Sequence, residues 1–329
     1  MANLYLTHKC SRGCSFCFAR KVLQSAKERE EILSIEEIER LLDKFPELRT
    51  VGLLGGEPFL YPHMRALLDL LRKRDIQATI FTSATNPLPD GLNDLDMNAY
   101  SMEVAPDVRV PMLRFVVNVG ERSTYNEQQF KNLELFFEKY HSCASLSYTI
   151  FDLDNGDPDF LFDMIDKYDL QRDIRTGIAL PIYKGGNQYI PTEQYKRAGT
   201  YLVHCLERAH KRNITMNMDC GFTACMFTDE QLGRMQRLGT ELRFMCGAAV
   251  DIGPRLEVWN CFPLFQLGRI SALEASSLED LNRMLEEQLC ATLGPQIGIF
   301  KECATCDTMK RGLCEGGCKS FLSINPLKN

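Results

Sequence analysis

The sequence predicts an α/β fold built on one parallel sheet, and three observations carry that prediction. Short β-rich runs alternate with amphipathic helical stretches about six times between residues 1 and 185. The stretches between successive runs have lengths that suit crossover connections joining parallel strands. Residues able to do chemistry gather at or near the C-terminal ends of the predicted strands, where parallel α/β barrels keep their reactive groups.

The first run, Asn3–His8, leads into Cys10-Ser11-Arg12-Gly13-Cys14-Ser15-Phe16-Cys17. Ser34 is placed to cap a helix and Glu37 to close the capping box, and Ile35, Ile38, Leu41 and Leu42 recur at helical spacing until Pro46. Thr50–Leu54 is the second strand and stops at Gly55-Gly56-Glu57-Pro58. A helix carrying Met64, Leu67, Leu68, Leu70 and Leu71 on one side leads to a third strand, Gln77–Phe81, which ends at Thr82-Ser83. Residues 84–112 hold Pro87, Pro89, Pro106 and Pro111 and are expected to form an irregular crossover. Leu113–Val119, Leu146–Phe151 and Ile174–Leu180 read as further strands, with helices over Thr124–Tyr140 and Phe160–Tyr168 between them. Asn118 lies near the end of the fourth strand and Arg175 near the start of the sixth. Lys184-Gly185-Gly186-Asn187 reads as a flexible break before an amphipathic helix running from Pro191 to about Arg212.

A chain of 329 residues with 45% hydrophobic content can bury a core and is long enough for two domains. It has no run of eighteen apolar residues and no signal or transit peptide, so a soluble cytoplasmic protein without a membrane partner is expected. A net charge of −6 argues against a broad nucleic-acid face.

Fourteen cysteines in a long chain without an export signal point to thiolate ligation of metal rather than to disulfides. Cys143, Cys205 and Cys290 stand apart from the others and read as small buried apolar residues. Cys10, Cys14 and Cys17 share one loop at C-x3-C-x2-C spacing. Three thiolates are one too few for a closed four-coordinate site and suit a [4Fe–4S] cluster that keeps one iron open. A zinc knuckle is the bland alternative.

The thiol loop with an aromatic before its last cysteine, followed by Gly55-Gly56-Glu57-Pro58 after the second strand, resembles the radical S-adenosylmethionine (radical SAM) superfamily over residues 1–185. That resemblance implies a partial (β/α)6 TIM-like barrel in which Cys10, Cys14 and Cys17 hold three irons of a [4Fe–4S] cluster and SAM chelates the fourth. It implies that Gly55 and Gly56 let the backbone approach SAM and that Glu57 accepts a hydrogen bond from the SAM amino group. Phe16 would meet the adenine through its backbone, Ser83 and Asn118 would contact the SAM carboxylate and ribose, and Arg175 would pair with the carboxylate. The cluster, reduced by an external flavodoxin- or ferredoxin-type donor, would cleave SAM to a 5′-deoxyadenosyl radical that abstracts hydrogen.

The remaining cysteines form Cys246-x14-Cys261 and Cys303-x2-Cys306-x7-Cys314-x3-Cys318, preceded by Cys220 and Cys225. Such an array is a strong metal signal, with a zinc ribbon as the alternative. Over 246–318 it resembles the SPASM/twitch extension, which implies one or two auxiliary [4Fe–4S] clusters. It departs from that pattern in the seven-residue spacer, in Leu256 where a glycine is expected, and in having no final cysteine after Cys318. One cluster could use Cys246, Cys261 and Cys318 with Cys225 or Cys220. A second could use Cys303, Cys306 and Cys314 with either of those two cysteines, or with an open position. The expected division is a radical SAM core over 1–185, a bridging helix over 186–215 and a small cysteine-rich auxiliary domain over 216–329.

Together these resemblances imply a maturase that abstracts hydrogen from a residue of a peptide or protein substrate, with net oxidation such as a thioether or carbon–carbon cross-link in a ribosomal peptide. No leader-binding module is expected before residue 3, so a separate leader-binding protein is one expected partner. The rival enzyme is a small-molecule radical SAM dehydrogenase or epimerase, and the rival class is a non-catalytic metal-binding scaffold. Tyr183, Tyr189 and Cys205 remain unranked candidates for a second hydrogen donor.

Overall fold

The computed structural model describes residues 2–25, 31–96, 100–105, 108–154, 156–246, 250–294 and 298–324. Pro106 lies outside the described residues. The core strands are β1 (Ala2–Tyr5), β2 (Thr50–Leu54), β3 (Gln77–Thr82), β4 (Ser101–Ala105), β5 (Val108–Pro111), β6 (Leu113–Asn118), β7 (Ala144–Ile150) and β8 (Asp173–Ile178). After them come β9 (Thr215–Met218), β10 (Val250–Ile252), β11 (Glu257–Trp259) and β12 (Ile270–Ser271). The helices are α1 (Arg20–Ser25), α2 (Ile35–Lys44), α3 (Met64–Lys73), α4 (Glu127–Tyr140), α5 (Asp159–Tyr168), α6 (Tyr195–Lys211), α7 (Asp229–Arg237), α8 (Leu278–Leu293) and α9 (Asp307–Lys310).

The ten-stranded sheet runs β12-β11-β10-β1-β2-β3-β6-β7-β8-β9. From β10 through to β9 every neighbouring pair is parallel, and the β10–β11 and β11–β12 pairs are antiparallel, so β11 alone runs against the rest of this sheet. The six strands read from the sequence are all present in that order. Two more join them from beyond residue 185: β9 extends the β8 edge and β10 pairs with β1. Residues 84–112 contain an antiparallel hairpin, β4–β5, in a separate two-stranded sheet. Its prolines hid two strands that the sequence reading treated as irregular.

The helix starts follow local chemistry. Ser34 Oγ accepts from Glu37 N at 3.2 Å while Glu37 Oε2 accepts from Ser34 N at 2.8 Å, which is the capping box the sequence predicts. Asn126 with Gln129 and Thr228 with Gln231 build the same device at α4 and α7. Side-chain alternation divides the sheet into two faces. Leu4, Leu53, Ile80, Phe115, Leu146, Ile174 and Met216 belong to one buried core shared with the helices. The opposite, concave face carries Thr79, Arg114, Ser145, Asp173, Arg175 and Asn217, all at least partly exposed. Arg175 on β8 lies 5.3 Å over the ring of Phe81 on β3, so side chains from distant strands meet across this concavity. A parallel sheet normally buries both faces in apolar contacts. Here one face is polar and open.

Cys143 and Cys205 are buried, as expected, whereas Cys290 is exposed on α8. Its place on the outer side of an amphipathic helix explains the difference. Among the described residues no helix is long and apolar enough to cross a membrane.

Candidate active site

The loop after β1 carries Cys10, Cys14 and Cys17. Leu6 N donates to Leu54 O at 2.8 Å, so pairing with β2 continues past β1, and Cys17 N donates to Cys14 O in a turn at 3.2 Å. Burial pushes the Cys17 thiol up to about 11, with the nearby Cys14 and Cys10 sulfurs adding to it. Crowding by protein raises Cys10 as well, helped by Glu57 and Cys14. Thiols held this way keep their protons until a cation takes their place. Among the described residues no three Cys, His, Asp or Glu side chains converge tightly enough to hold one metal ion. Three thiols carried on one short loop fit a polynuclear cluster held from one side.

The Gly55-Gly56-Glu57 turn at the end of β2 is stitched to this loop. Gly56 N donates to Thr7 O and Glu57 N to Lys9 O, each at 2.8 Å. A Cβ on Gly56 would stand 2.4 Å from Lys9 O and 2.9 Å from Cys10 Cβ, and one on Gly55 would stand 2.6 Å from Thr7 O. The two glycines are therefore needed for close approach to the thiol loop itself, a role the sequence reading did not foresee.

Glu57 is only 2% exposed. Its Oε1 accepts from Phe59 N at 3.1 Å and Thr82 Oγ1 at 2.5 Å, and its Oε2 from Ser83 N at 2.9 Å and Ser83 Oγ at 2.6 Å. Four donors offset the cost of burying this carboxylate. Ser83 is thus brought to Glu57 as a donor, and its hydroxyl also touches Thr85 Oγ1 at 2.8 Å. Thr82 was missed in the sequence because a threonine ending a strand is unremarked until its partner is known.

Phe16 stacks on Phe151 with centroids 4.5 Å apart. The segment read as a flexible break is a clasp on the thiol loop. Asn187 Nδ2 donates to Phe16 O at 3.2 Å and Leu180 O at 2.9 Å, while its Oδ1 accepts from Ile182 N at 3.1 Å. Gln188 N donates to Ser15 O at 2.9 Å, and Arg20 bridges Gly186 O and Cys14 O at 2.8 and 3.0 Å. Arg12 reaches the other way, donating to Thr124 Oγ1 at 3.4 Å and lying 4.6 Å over the Tyr125 ring. That contact sets the loop after β6, which begins beside Asn118, next to the thiols. Asn187→Ala removes three bonds from part-buried groups and is expected to cost about 1–3 kcal/mol. Denaturant unfolding checks this, and an unchanged midpoint would show that the clasp does not hold the loop.

Arg175 forms an ion pair with Asp219, Nη2 to Oδ2 at 2.7 Å, at the rim next to Cys220. The structure therefore engages it with a neighbour on the chain after β9 rather than leaving it free above the thiol loop.

The later cysteines lie beyond β9 and around β10–β11. Cys225, Cys303, Cys306 and Cys314 line a single cavity of about 220 Å³. Cys306 is held below the usual thiol range by N–H donors from Met309 and Thr308. Cys261 and Cys318 begin two short turns, Phe262–Leu264 and Lys319–Ser323, that pack together. Burial raises Cys261, with Cys318 and Cys246 adding to the effect. Surrounding protein pushes Cys220 up to about 12, with Asp219, Cys318 and Cys246 contributing.

A parallel sheet with a three-thiol loop at the C-terminal end of its first strand, locked to a Gly-Gly-Glu turn at the end of its second, defines a radical SAM domain. Residues 4–163, just under half of the chain, match the model of the Radical SAM superfamily and form a Radical SAM domain, and the protein is an enzyme. The family uses a [4Fe–4S] cluster and SAM. Over 86 residues the chain is 29% identical to the antilisterial bacteriocin subtilosin biosynthesis protein AlbA of Bacillus subtilis (strain 168), a stretch covering 26% of this chain and 18% of that protein. The fold is similar to that of Streptococcus suis SuiB bound to S-adenosylmethionine, with a TM-score of 0.65 at 15% identity over 98% of this chain and 73% of SuiB. SuiB bound to its precursor peptide SuiA gives a TM-score of 0.64, covering 98% of this chain and 72% of SuiB.

Proposed function

We propose that this enzyme is a peptide maturase that removes hydrogen from a residue of a peptide substrate, forming a cross-link by net oxidation. The observation that carries this reading is the likeness to SuiB along nearly the whole chain, which includes the cysteine-rich last third. The open concave face, lined by Arg114, Ser145, Asp173 and Asn217, supports it by offering polar contacts to an extended backbone.

Cys10, Cys14 and Cys17 would hold the cluster. When bound, the cluster and SAM supply one-electron cleavage of the sulfonium and hydrogen-atom abstraction. Phe16, backed by Phe151, would present its backbone to the adenine. Gly55 and Gly56 press the Glu57 turn against the thiol loop, so the SAM amino group would lie close to both. Glu57 has no unused acceptor position, so it would take that amine only as the Ser83 hydroxyl turns away toward Thr85. Asn118 would meet the ribose from the loop that Arg12 holds. Arg175 would pair with the SAM carboxylate, exchanging its contact with Asp219 to do so.

In this reading the core spans 1–185, a bridging helix 186–215 and the auxiliary region 216–329, the enzyme is cytoplasmic, and an external flavodoxin- or ferredoxin-type donor supplies electrons. A leader-binding protein is a further candidate partner. The test pairs the anaerobically reconstituted enzyme, SAM and reductant with a short precursor peptide encoded beside its gene. The expected result is 5′-deoxyadenosine formed together with peptide lacking two hydrogens by mass spectrometry. SAM cleavage stimulated by a small molecule and by no peptide would select the dehydrogenase or epimerase reading instead.

A further inference from the structure

The eight cysteines after residue 215, Cys290 aside, leave open in the sequence which thiol completes which group. The fold separates them. The turn carrying Cys225 is pressed against the C-terminal turn: a Cβ on Gly317 would stand 3.0 Å from Thr223 Cγ2 and 2.6 Å from Ile299 Cδ1, and Thr223 Oγ1 touches Cys225 Sγ at 3.3 Å. The same C-terminal turn holds Cys314, whose Sγ accepts from Gly316 N at 3.3 Å, while Ile299 N donates to Gly316 O at 2.8 Å. Gly298 packs directly on Cys303 Sγ, where a Cβ would approach to 2.6 Å. These contacts bring Cys225, Cys303, Cys306 and Cys314 around one cavity of about 220 Å³. Cys220 is not among the residues lining that cavity. It follows Asp219, which pairs with Arg175 of β8, while the turns begun by Cys261 and Cys318 pack on each other and Cys246 N donates to Glu315 Oε2 at 2.9 Å.

The cavity also speaks to what is bound. Zinc at about 2.3 Å from each sulfur draws four thiolates onto one point. A chamber several times the roughly 30 Å³ share of one water suits a polynuclear cluster.

Resting on the reading that the later cysteines hold iron–sulfur clusters, we propose that Cys225, Cys303, Cys306 and Cys314 form one closed four-thiolate cluster site. Cys220 then completes the other with Cys246, Cys261 and Cys318. Cys225 thereby joins ligands that lie some eighty residues further along the chain. With four protein thiolates in each group, neither leaves an iron open, in contrast to the three-thiol loop after β1. A substrate would bind beside these clusters and not on them.

The test counts iron in the full chain carrying Cys10→Ala, Cys14→Ala and Cys17→Ala together, reconstituted anaerobically with iron and sulfide. This parent is expected to hold about eight irons, as two four-iron clusters. Cys225→Ala alone leaves three thiolates, which can still hold four irons as the loop after β1 does, so Cys225→Ala and Cys303→Ala are added together and are expected to leave about four irons, because both belong to one site. Cys220→Ala with Cys303→Ala, one ligand from each site, is expected to keep about eight, while Cys290→Ala alone should change nothing. Eight irons retained with Cys225→Ala and Cys303→Ala together would overturn the assignment, as would a loss to about four with Cys220→Ala and Cys303→Ala together. A parent holding four irons and one zinc would overturn the cluster at the Cys225 site. A parent holding no iron would instead remove the reading on which the proposal rests. Cys225→Ser, which leaves an oxygen in place and spares the fold, is expected to shift the paramagnetic resonance spectrum of one reduced cluster only, and an unchanged spectrum would count against Cys225 as a ligand.

Discussion

Cys14→Ala is expected to reduce 5′-deoxyadenosine formation to the level of an enzyme-free control. Cys14 is the middle thiol of the loop after β1. Its carbonyl accepts from both Cys17 N and Arg20, so the backbone position is fixed from two sides. Removing the side chain leaves that backbone intact and deletes one of three donors. Two thiolates would leave two irons without a protein ligand, which undoes the geometry that presents a single open position to SAM. The measurement is product quantification after anaerobic reconstitution, with iron content determined on the same sample. Wild-type turnover in this variant would remove the premise that these three cysteines hold the catalytic cluster.

Glu57→Ala is expected to give the largest loss of stability of any single change around the site, roughly 3 kcal/mol or more. It strands the Thr82 and Ser83 hydroxyls and the Ser83 and Phe59 N–H groups in a region where the carboxylate is 2% exposed. Glu57→Gln should cost less but still be destabilising, because its amide nitrogen must face either the Phe59 or the Ser83 N–H, donor against donor. Thr82→Val deletes one hydroxyl of similar shape and is expected to cost about 1–2 kcal/mol, since the other three donors remain. Denaturant midpoints for the three variants should fall in that order. Equal stability of wild type and Glu57→Ala would mean that the carboxylate network is not formed in solution.

The first half of this fold is legible because local rules and tertiary structure agree there. Ser34 with Glu37, the leucine spacing of α3 and the alternation in β3 each state their element within a dozen residues. The thiol loop and the Gly-Gly-Glu turn are legible because ligand geometry forces short spacings. What stayed hidden depends on distant partners. Thr-Met-Asn-Met at β9 and the three residues of β10 are too short to state a strand by alternation and are strands because β8 and β1 offer open edges. Asn187 meets Phe16 across 171 residues, and no local pattern marks it. The choice between Cys220 and Cys225 is of the same kind, since two cysteines on one turn become distinct only when Gly317 seats against Thr223.

The parallel pairing of β1 with β10 has a consequence for how the protein is made. Asn3 donates to Asp251 across 248 residues at 2.8 Å, and burial pushes the Asp251 carboxyl up to about 8. Asn3 thus waits for its partner until a further 248 residues have been synthesised. At about 5–20 residues per second that delay is roughly 12–50 s. During it β1 has an unpaired edge next to the loop bearing Cys10, Cys14 and Cys17, with those thiols accessible. The edge of β1 beside the thiol loop is therefore closed only once β10 has been made, late in the assembly of the sheet.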